Sequence, residues 1–102
     1  MPTSKRVIVY TPRAEKDLDT IRFYSIKHWG QRQTTAYMKD MLKRIKELAH
    51  FTHAPHPIVL TIETVELRCI YAGQHAVYYN SGSTAITVVR ILHQRMDAPA
   101  HL

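Results

Sequence analysis

The sequence predicts a small α+β domain of order β-α-α-β-β-β, a helical hairpin packed on a small antiparallel sheet. Three observations predict it. Two stretches, 12–29 and 34–49, repeat apolar residues at helical spacing and are parted by little more than Gly30. From Glu66 to Leu92 the pattern changes to three runs dense in Val, Ile, Thr and Tyr, split by Ala72-Gly73-Gln74 and Ser81-Gly82-Ser83. The chain has 102 residues, which fits a single domain spanning 1–102 with one modest core.

Val7-Ile8-Val9-Tyr10 reads as a short first strand. Thr11-Pro12 opens helix one, with Thr11 as N-cap, Pro12 at the first helical position and Glu15 expected as the acidic partner of a capping box. Ala14, Leu18, Ile21, Ser25 and Trp29 fall at steps of four and three, which is one helix face, and Gly30 suits the left-handed residue after it. Helix two follows at once. Thr34, Met38, Met41, Ile45 and Leu48 form its buried stripe, widened by Tyr37, Leu42 and Ala49, with Asp40–Arg44 and Lys43–Glu47 as ion pairs on the outer faces. Residues 50–57, His-Phe-Thr-His-Ala-Pro-His-Pro, cannot continue a helix and read as a loop; 58–63 is ambiguous between loop and extended chain. Three strands close the chain as an antiparallel meander: Glu66 to Tyr71, His75 to Asn80 and Ala85 to Leu92.

Composition excludes several classes. Hydrophobic residues make up 45% and charged residues 22%, which is ordinary for a globular chain and not for a disordered one. Cys69 is the single cysteine, so no disulfide scaffold exists. No apolar run approaches the roughly 20 residues of a membrane span, and no signal-peptide core follows the first residues, so a cytoplasmic protein is expected. Fourteen Lys and Arg against eight Asp and Glu leave a net charge of +6. That excess suits an anionic partner, and equally suits mere solubility.

Chemical motifs are sparse. His50, His53 and His56 recur every third residue, but with the single cysteine distant and no acidic residue within the cluster they read better as a solvated loop than as a metal site. There is no Gly-x-Ser-x-Gly, no Walker loop and no His-Glu-x-x-His, and no cofactor is expected. Cys69, inside a strand, reads as a buried inert thiol. The end of the last strand is richer: Arg90, His93, Arg95 and Asp97 gather there, and Arg68 on a neighbouring strand faces the same sheet. Such a group suits phosphate or a carboxylate-rich peptide; alternatively Arg90 and Asp97 form a structural ion pair and His93 a satisfied core residue. Trp29 is either an interface anchor or a core residue pinning the helical hairpin.

The closing run Val88-Val89-Arg90-Ile91-Leu92-His93-Gln94-Arg95-Met96-Asp97 resembles the ending of the ParE toxins, within the wider RelE/ParE superfamily. Leu67-Arg68 and Gly73-Gln74-His75-Ala76-Val77-Tyr78-Tyr79 resemble that family's central hairpin, and Ala14-x-x-Asp17-Leu18-x-x-Ile21 with Trp29-Gly30-x-x-Gln33 its first helix and junction. The likeness runs from Val7 to Asp97; residues 51–57 depart from it, lacking the Gly and Arg usual after helix two.

The resemblance implies the toxin half of a bacterial type II toxin–antitoxin pair. It implies a non-enzymatic inhibitor of DNA gyrase that stabilises the cleaved-DNA state. The cognate partner would be a ParD-like antitoxin with a ribbon-helix-helix DNA-binding part, and operator DNA would be reached only through it. On this reading Trp29, Arg68, Arg90, His93, Arg95, Met96 and Asp97 are the expected partner-binding residues. The alternative is a RelE-like mRNA endoribonuclease acting on the ribosome. Arg68, His93 and Arg95 would then carry catalysis, but no tyrosine follows Tyr79 and no lysine lies in 60–67, so the set is incomplete.

Overall fold

The computed structural model describes residues 6–50 and 56–102; residues 1–5 and 51–55, His53 among them, lie outside the description. The elements are β1 (Val7–Tyr10), α1 (Pro12–Trp29), α2 (Gln31–Glu47), a 3-10 turn at Leu48–His50, β2 (Ile58–Ile62), β3 (Val65–Ala72), β4 (His75–Ser81), β5 (Ala85–His93) and a single-turn α3 (Ala98–His101). The five strands form one sheet in the order β1-β5-β4-β3-β2. The helical hairpin packs on one face of it.

Helix one starts as its sequence dictates. Thr11 Oγ1 accepts from the Ala14 amide at 3.1 Å and donates to the Val89 carbonyl at 2.8 Å, so one hydroxyl caps the helix and ties it to β5. The expected capping box does not form, because the third helical position is Ala14. Glu15, one residue on, contributes only its charge to the positive helix end. Gly30 (φ 87) alone links the two helices: its amide bonds the Ile26 carbonyl and its own carbonyl receives the Thr34 amide. Helix two buries Thr34, Met38, Met41 and Ile45, the stripe read from spacing. The Asp40–Arg44 pair forms at 2.9 Å on the exposed side.

The core joins Ala14 and Ile21 of α1 and Met38, Met41 and Ile45 of α2 to Val77, Val88 and Ile91 of the sheet. A smaller cluster of Leu48, Tyr79 and Ile86 continues it, with Ile8 and Ile70 touching both. Each fully buried large side chain contributes about 1.5–3 kcal/mol by leaving water.

The sheet differs from the expected one in two ways. The ambiguous segment is a strand: β2 pairs antiparallel with β3 around a two-residue turn in which Glu63 takes φ 57. And β1 pairs parallel to β5, Val7 opposite Ala85 and Tyr10 opposite Val88, so the sheet is mixed. Four apolar residues read the same in either direction, and only the path of the helical hairpin decides how β1 docks.

Helix two also clamps the β3–β4 turn. The Tyr37 hydroxyl accepts from the Gln74 amide at 2.9 Å and lies 3.1 Å from the Ala72 carbonyl. Gly73 between them has φ +60, and a Cβ there would sit 2.4 Å from the Tyr37 ring. Only glycine accepts both the backbone angle and the ring.

Candidate functional site

The site begins where β1 stops. β1 covers the edge of β5 only as far as Val88, opposite Tyr10. Beyond that point β5 has no strand on this edge, and the amides that face outward along it need other partners. Asp17 of α1 supplies one: its Oδ2 accepts the Ile91 amide at 2.9 Å. The same carboxylate holds Arg90 in a two-pronged pair, Nε to Oδ2 at 2.7 Å and Nη2 to Oδ1 at 2.9 Å. The two side chains retain 12% and 13% of their exposure, so the pair is largely desolvated. The Asp17 hydrogen bond pushes the Arg90 guanidinium above its ordinary value, against the opposing effect of burial. Of the two readings of Arg90, the structural ion pair with Asp97 does not form: Arg90 pairs with Asp17 of α1, and Asp97 is an exposed residue before α3.

Beside it lies a histidine pair. His75 and His93 are cross-strand neighbours with ring centroids 5.4 Å apart. The Arg95 amide can only donate, so His93 Nδ1 accepts from it at 3.1 Å and Nε2 carries the proton toward Gln74 Oε1 at 3.3 Å. His75 Nδ1 lies 2.7 Å from the Tyr37 hydroxyl. Burial first, and then the neighbouring His93, hold the His75 imidazole below its ordinary value, so its neutral form is favoured.

These residues wall a groove of about 630 Å³ between α1 and the end of β5. Arg13, Lys16 and Arg90 give it a cationic rim. Its floor is apolar: Ile21, Ile91 and Leu92, with Met96 and Tyr24 at the sides. After β5 the chain turns, Met96 amide to His93 carbonyl at 2.8 Å, and α3 folds back so that the His101 carbonyl accepts from both Arg13 Nη2, at 2.8 Å, and Arg90 Nη1.

The structure brings Arg90, His93 and Met96 together here, with the Arg95 amide on His93; Arg95 and Asp97 are exposed and do not line the groove. It does not bring Arg68. Arg68 pairs with Tyr79, whereas His93 pairs with His75. Their partners, Tyr79 and His75, are four positions apart on β4, about 13 Å at ~3.3 Å per residue. Arg68 instead donates to the His56 carbonyl, while His56 Nδ1 meets the hydroxyl of the fully buried Tyr79 at 2.9 Å. That group adjoins a second hollow, of about 790 Å³, lined by Arg44, Glu47, His50, His56, Cys69 and Tyr71. Cys69 is partly buried, and burial pushes its thiol up, away from the reactive thiolate. Among the described residues no three His, Cys, Asp or Glu side chains come close enough to hold a metal ion.

Trp29 is 60% exposed and is no core residue. It is the last residue of α1, where the chain reverses; Phe23 (78%) and Tyr24 (60%) are exposed on other faces of the same helix. Spacing put Trp29 on the buried stripe but could not show that nothing covers the final turn. Sequence reading also passed over Arg13, Lys16 and Tyr37 as site residues. The spacing of Arg13 and Lys16 on the helix face beside Asp17 was the available signal.

Comparison with known proteins is consistent across the chain. A family model described as ParE toxin of type II toxin-antitoxin system, parDE, matches residues 8–98. The chain is 34% identical over 90 residues to Toxin ParE1 of Caulobacter vibrioides, covering 88% of this chain and 91% of that one. It is 30% identical over 95 residues to Toxin ParE1 of Mycobacterium tuberculosis, with 90% and 93% covered. A solved structure described as the chromosomal ParDE TA system from P. aeruginosa superposes with a TM-score of 0.73 at 15% identity, covering 87% of this chain and 96% of that one, which speaks to the fold alone.

Proposed function

The chain belongs to the ParE toxin family of type II toxin–antitoxin systems, and from that premise we propose that it inhibits DNA gyrase by protein–protein contact and is neutralised by a ParD-like antitoxin. The toxin stabilises the cleaved-DNA state of gyrase and performs no bond chemistry of its own. The observation that carries the antitoxin half is the groove between α1 and β5. An apolar floor with a cationic rim fits an amphipathic, acidic segment that folds as it binds. Arg13, Lys16 and Arg90 meet its carboxylates, and Ile21, Ile91 and Met96 its apolar side chains. Tyr24, exposed at the side of the groove, extends this contact surface, and Trp29, exposed at the end of α1, offers a separate contact of a residue type that dominates binding energy. A ribbon-helix-helix part of the antitoxin carries the complex to operator DNA. The protein works in the cytoplasm, where its target is, without a cofactor.

Ribosome-dependent mRNA cleavage is the weaker reading. It needs a base, an acid and a phosphorane-stabilising cation around one phosphate. Arg68 lies about 13 Å along the sheet from His93, at ~3.3 Å per residue, and cannot share a phosphate with it. The deciding experiment is a gyrase assay with purified protein, scoring lost supercoiling and trapped cleaved DNA. Cleaved DNA rising with dose is expected. No effect at large excess of folded protein, with mRNA cut on ribosomes instead, overturns the proposal.

A further inference from the structure

The groove's strongest anion-binding feature is already occupied, and by this chain. One carbonyl oxygen, that of His101, receives hydrogen bonds from two guanidinium groups, Arg13 and Arg90. Paired guanidinium forks match a carboxylate, which would be charge-assisted on both sides of each bond; a neutral carbonyl is a weaker ligand for the same donors. Arg90 does not depend on the tail for its position, because Asp17 holds it by two bonds. The Arg90 half of the receptor is therefore preorganised whether or not the tail is seated, whereas the exposed Arg13 is placed by its bond to the His101 carbonyl.

The tail is weakly held. α3 is one turn, buries none of its four residues and has no side-chain N-cap from Asp97. Its own backbone bonds are Ala100 amide to Asp97 carbonyl at 3.1 Å and Leu102 amide to Ala98 carbonyl at 3.0 Å. Segments with so little burial open at small free-energy cost.

We propose that α3 is a latch on the groove: the His101 carbonyl stands where a carboxylate of the acidic partner binds, and the partner seats by displacing the turn. This rests on reading the groove as the acidic segment's seat. The latch makes affinity depend on the fraction of molecules with α3 undocked. A latch closed nine-tenths of the time weakens apparent affinity about tenfold.

The test uses the full chain and Ala100→Pro. Proline there removes the amide that bonds Asp97 and drives Pro99 away from helical angles, undoing the turn without touching either arginine. The probe is a synthetic peptide with Glu and Leu at helical spacing, titrated by calorimetry while backbone order parameters are followed at Ala100 and Leu102. The wild-type amides should be rigid, near ~0.85, and fall below ~0.6 when peptide binds. Ala100→Pro should bind the peptide about tenfold more tightly. Equal affinity of the two proteins, or Ala100 staying rigid in the complex, overturns the latch. A separate arm needs no peptide: Arg13→Gln should loosen Ala100 and Leu102, and unchanged order in that variant also overturns the latch. If the tail loosens there but the peptide binds neither wild type nor Ala100→Pro, the reading of the groove as an acidic-segment seat has failed instead.

Discussion

Asp17→Asn isolates the junction on which the groove is built. The carboxylate takes three hydrogen bonds, two from Arg90 and one from the Ile91 amide, at 2.7–2.9 Å. Asparagine keeps one acceptor oxygen for the amide but turns an NH2 toward the guanidinium and leaves Arg90 without a counter-charge. Breaking one side of a buried ion pair costs about 3–5 kcal/mol. Two features place this case at the low end, at about 3 kcal/mol. Each side chain keeps about an eighth of its exposure, and Arg90 still has the His101 carbonyl. In a chain of this size 1 kcal/mol moves Tm by about 4–8 °C, so a fall of about 12–24 °C is expected. Urea unfolding followed by circular dichroism gives the free energy directly, and an unchanged slope checks that the unfolded state is the same. A double-mutant cycle with Arg90→Gln should return a coupling of about 2 kcal/mol. A loss under about 0.5 kcal/mol, the range of an ordinary surface change, would refute the idea that Asp17 replaces a missing strand.

Other perturbations have equally definite outcomes. Gly73→Ala forces a side chain into positive φ and against the Tyr37 ring, and should cost about 2 kcal/mol by denaturant titration; a loss below about 0.5 kcal/mol counts against the clamp. Because His75 is held below the 6.5 of an ordinary imidazole, the unfolded chain binds more protons than the folded one as pH falls past that value. Stability from this group is complete above it and is lost with acid down to the folded value. His75→Gln should remove that part of the acid slope, and an unaltered slope would mean that His75 does not contribute. Trp29→Ala should change stability by less than about 0.5 kcal/mol, while lowering affinity for the acidic peptide or toxicity; a stable variant with both intact takes Trp29 out of the contact surface.

Helix positions were legible because their periods are long and their punctuation is strong. Thr11, Pro12 and Gly30 mark ends that the structure keeps, and the Thr34–Met38–Met41–Ile45 stripe is buried as spaced. β1's direction was not legible, since Val7 to Tyr10 carries no polarity along its length. β2 was doubtful because five residues of Ile, Val, Leu and Thr beside a proline-bearing stretch fit strand and loop alike, and its turn uses Glu63 rather than glycine. Of the site, the cluster at the end of β5 could be seen as a run in sequence. Its true partner Asp17 is 73 residues away from Arg90, and nothing local to either residue announces the pairing. Arg68 illustrates the converse: a strand neighbour in order, it sits at the other end of the ladder because register, not sequence proximity, decides which residues meet.

The parallel pairing of β1 with β5 has a kinetic meaning. The first strand made by the ribosome must wait for the last one before it has a neighbour in the sheet. Chains dominated by such distant pairings pay their loop-closure entropy early and fold slowly. The two helices can form as synthesis proceeds, yet Asp17 has no Arg90, and Thr11 no Val89, until β5 has emerged. The groove therefore comes into being only once β5 has emerged. On the reading of the groove proposed above, an antitoxin already present in the cell meets a newborn toxin at the moment its seat first exists.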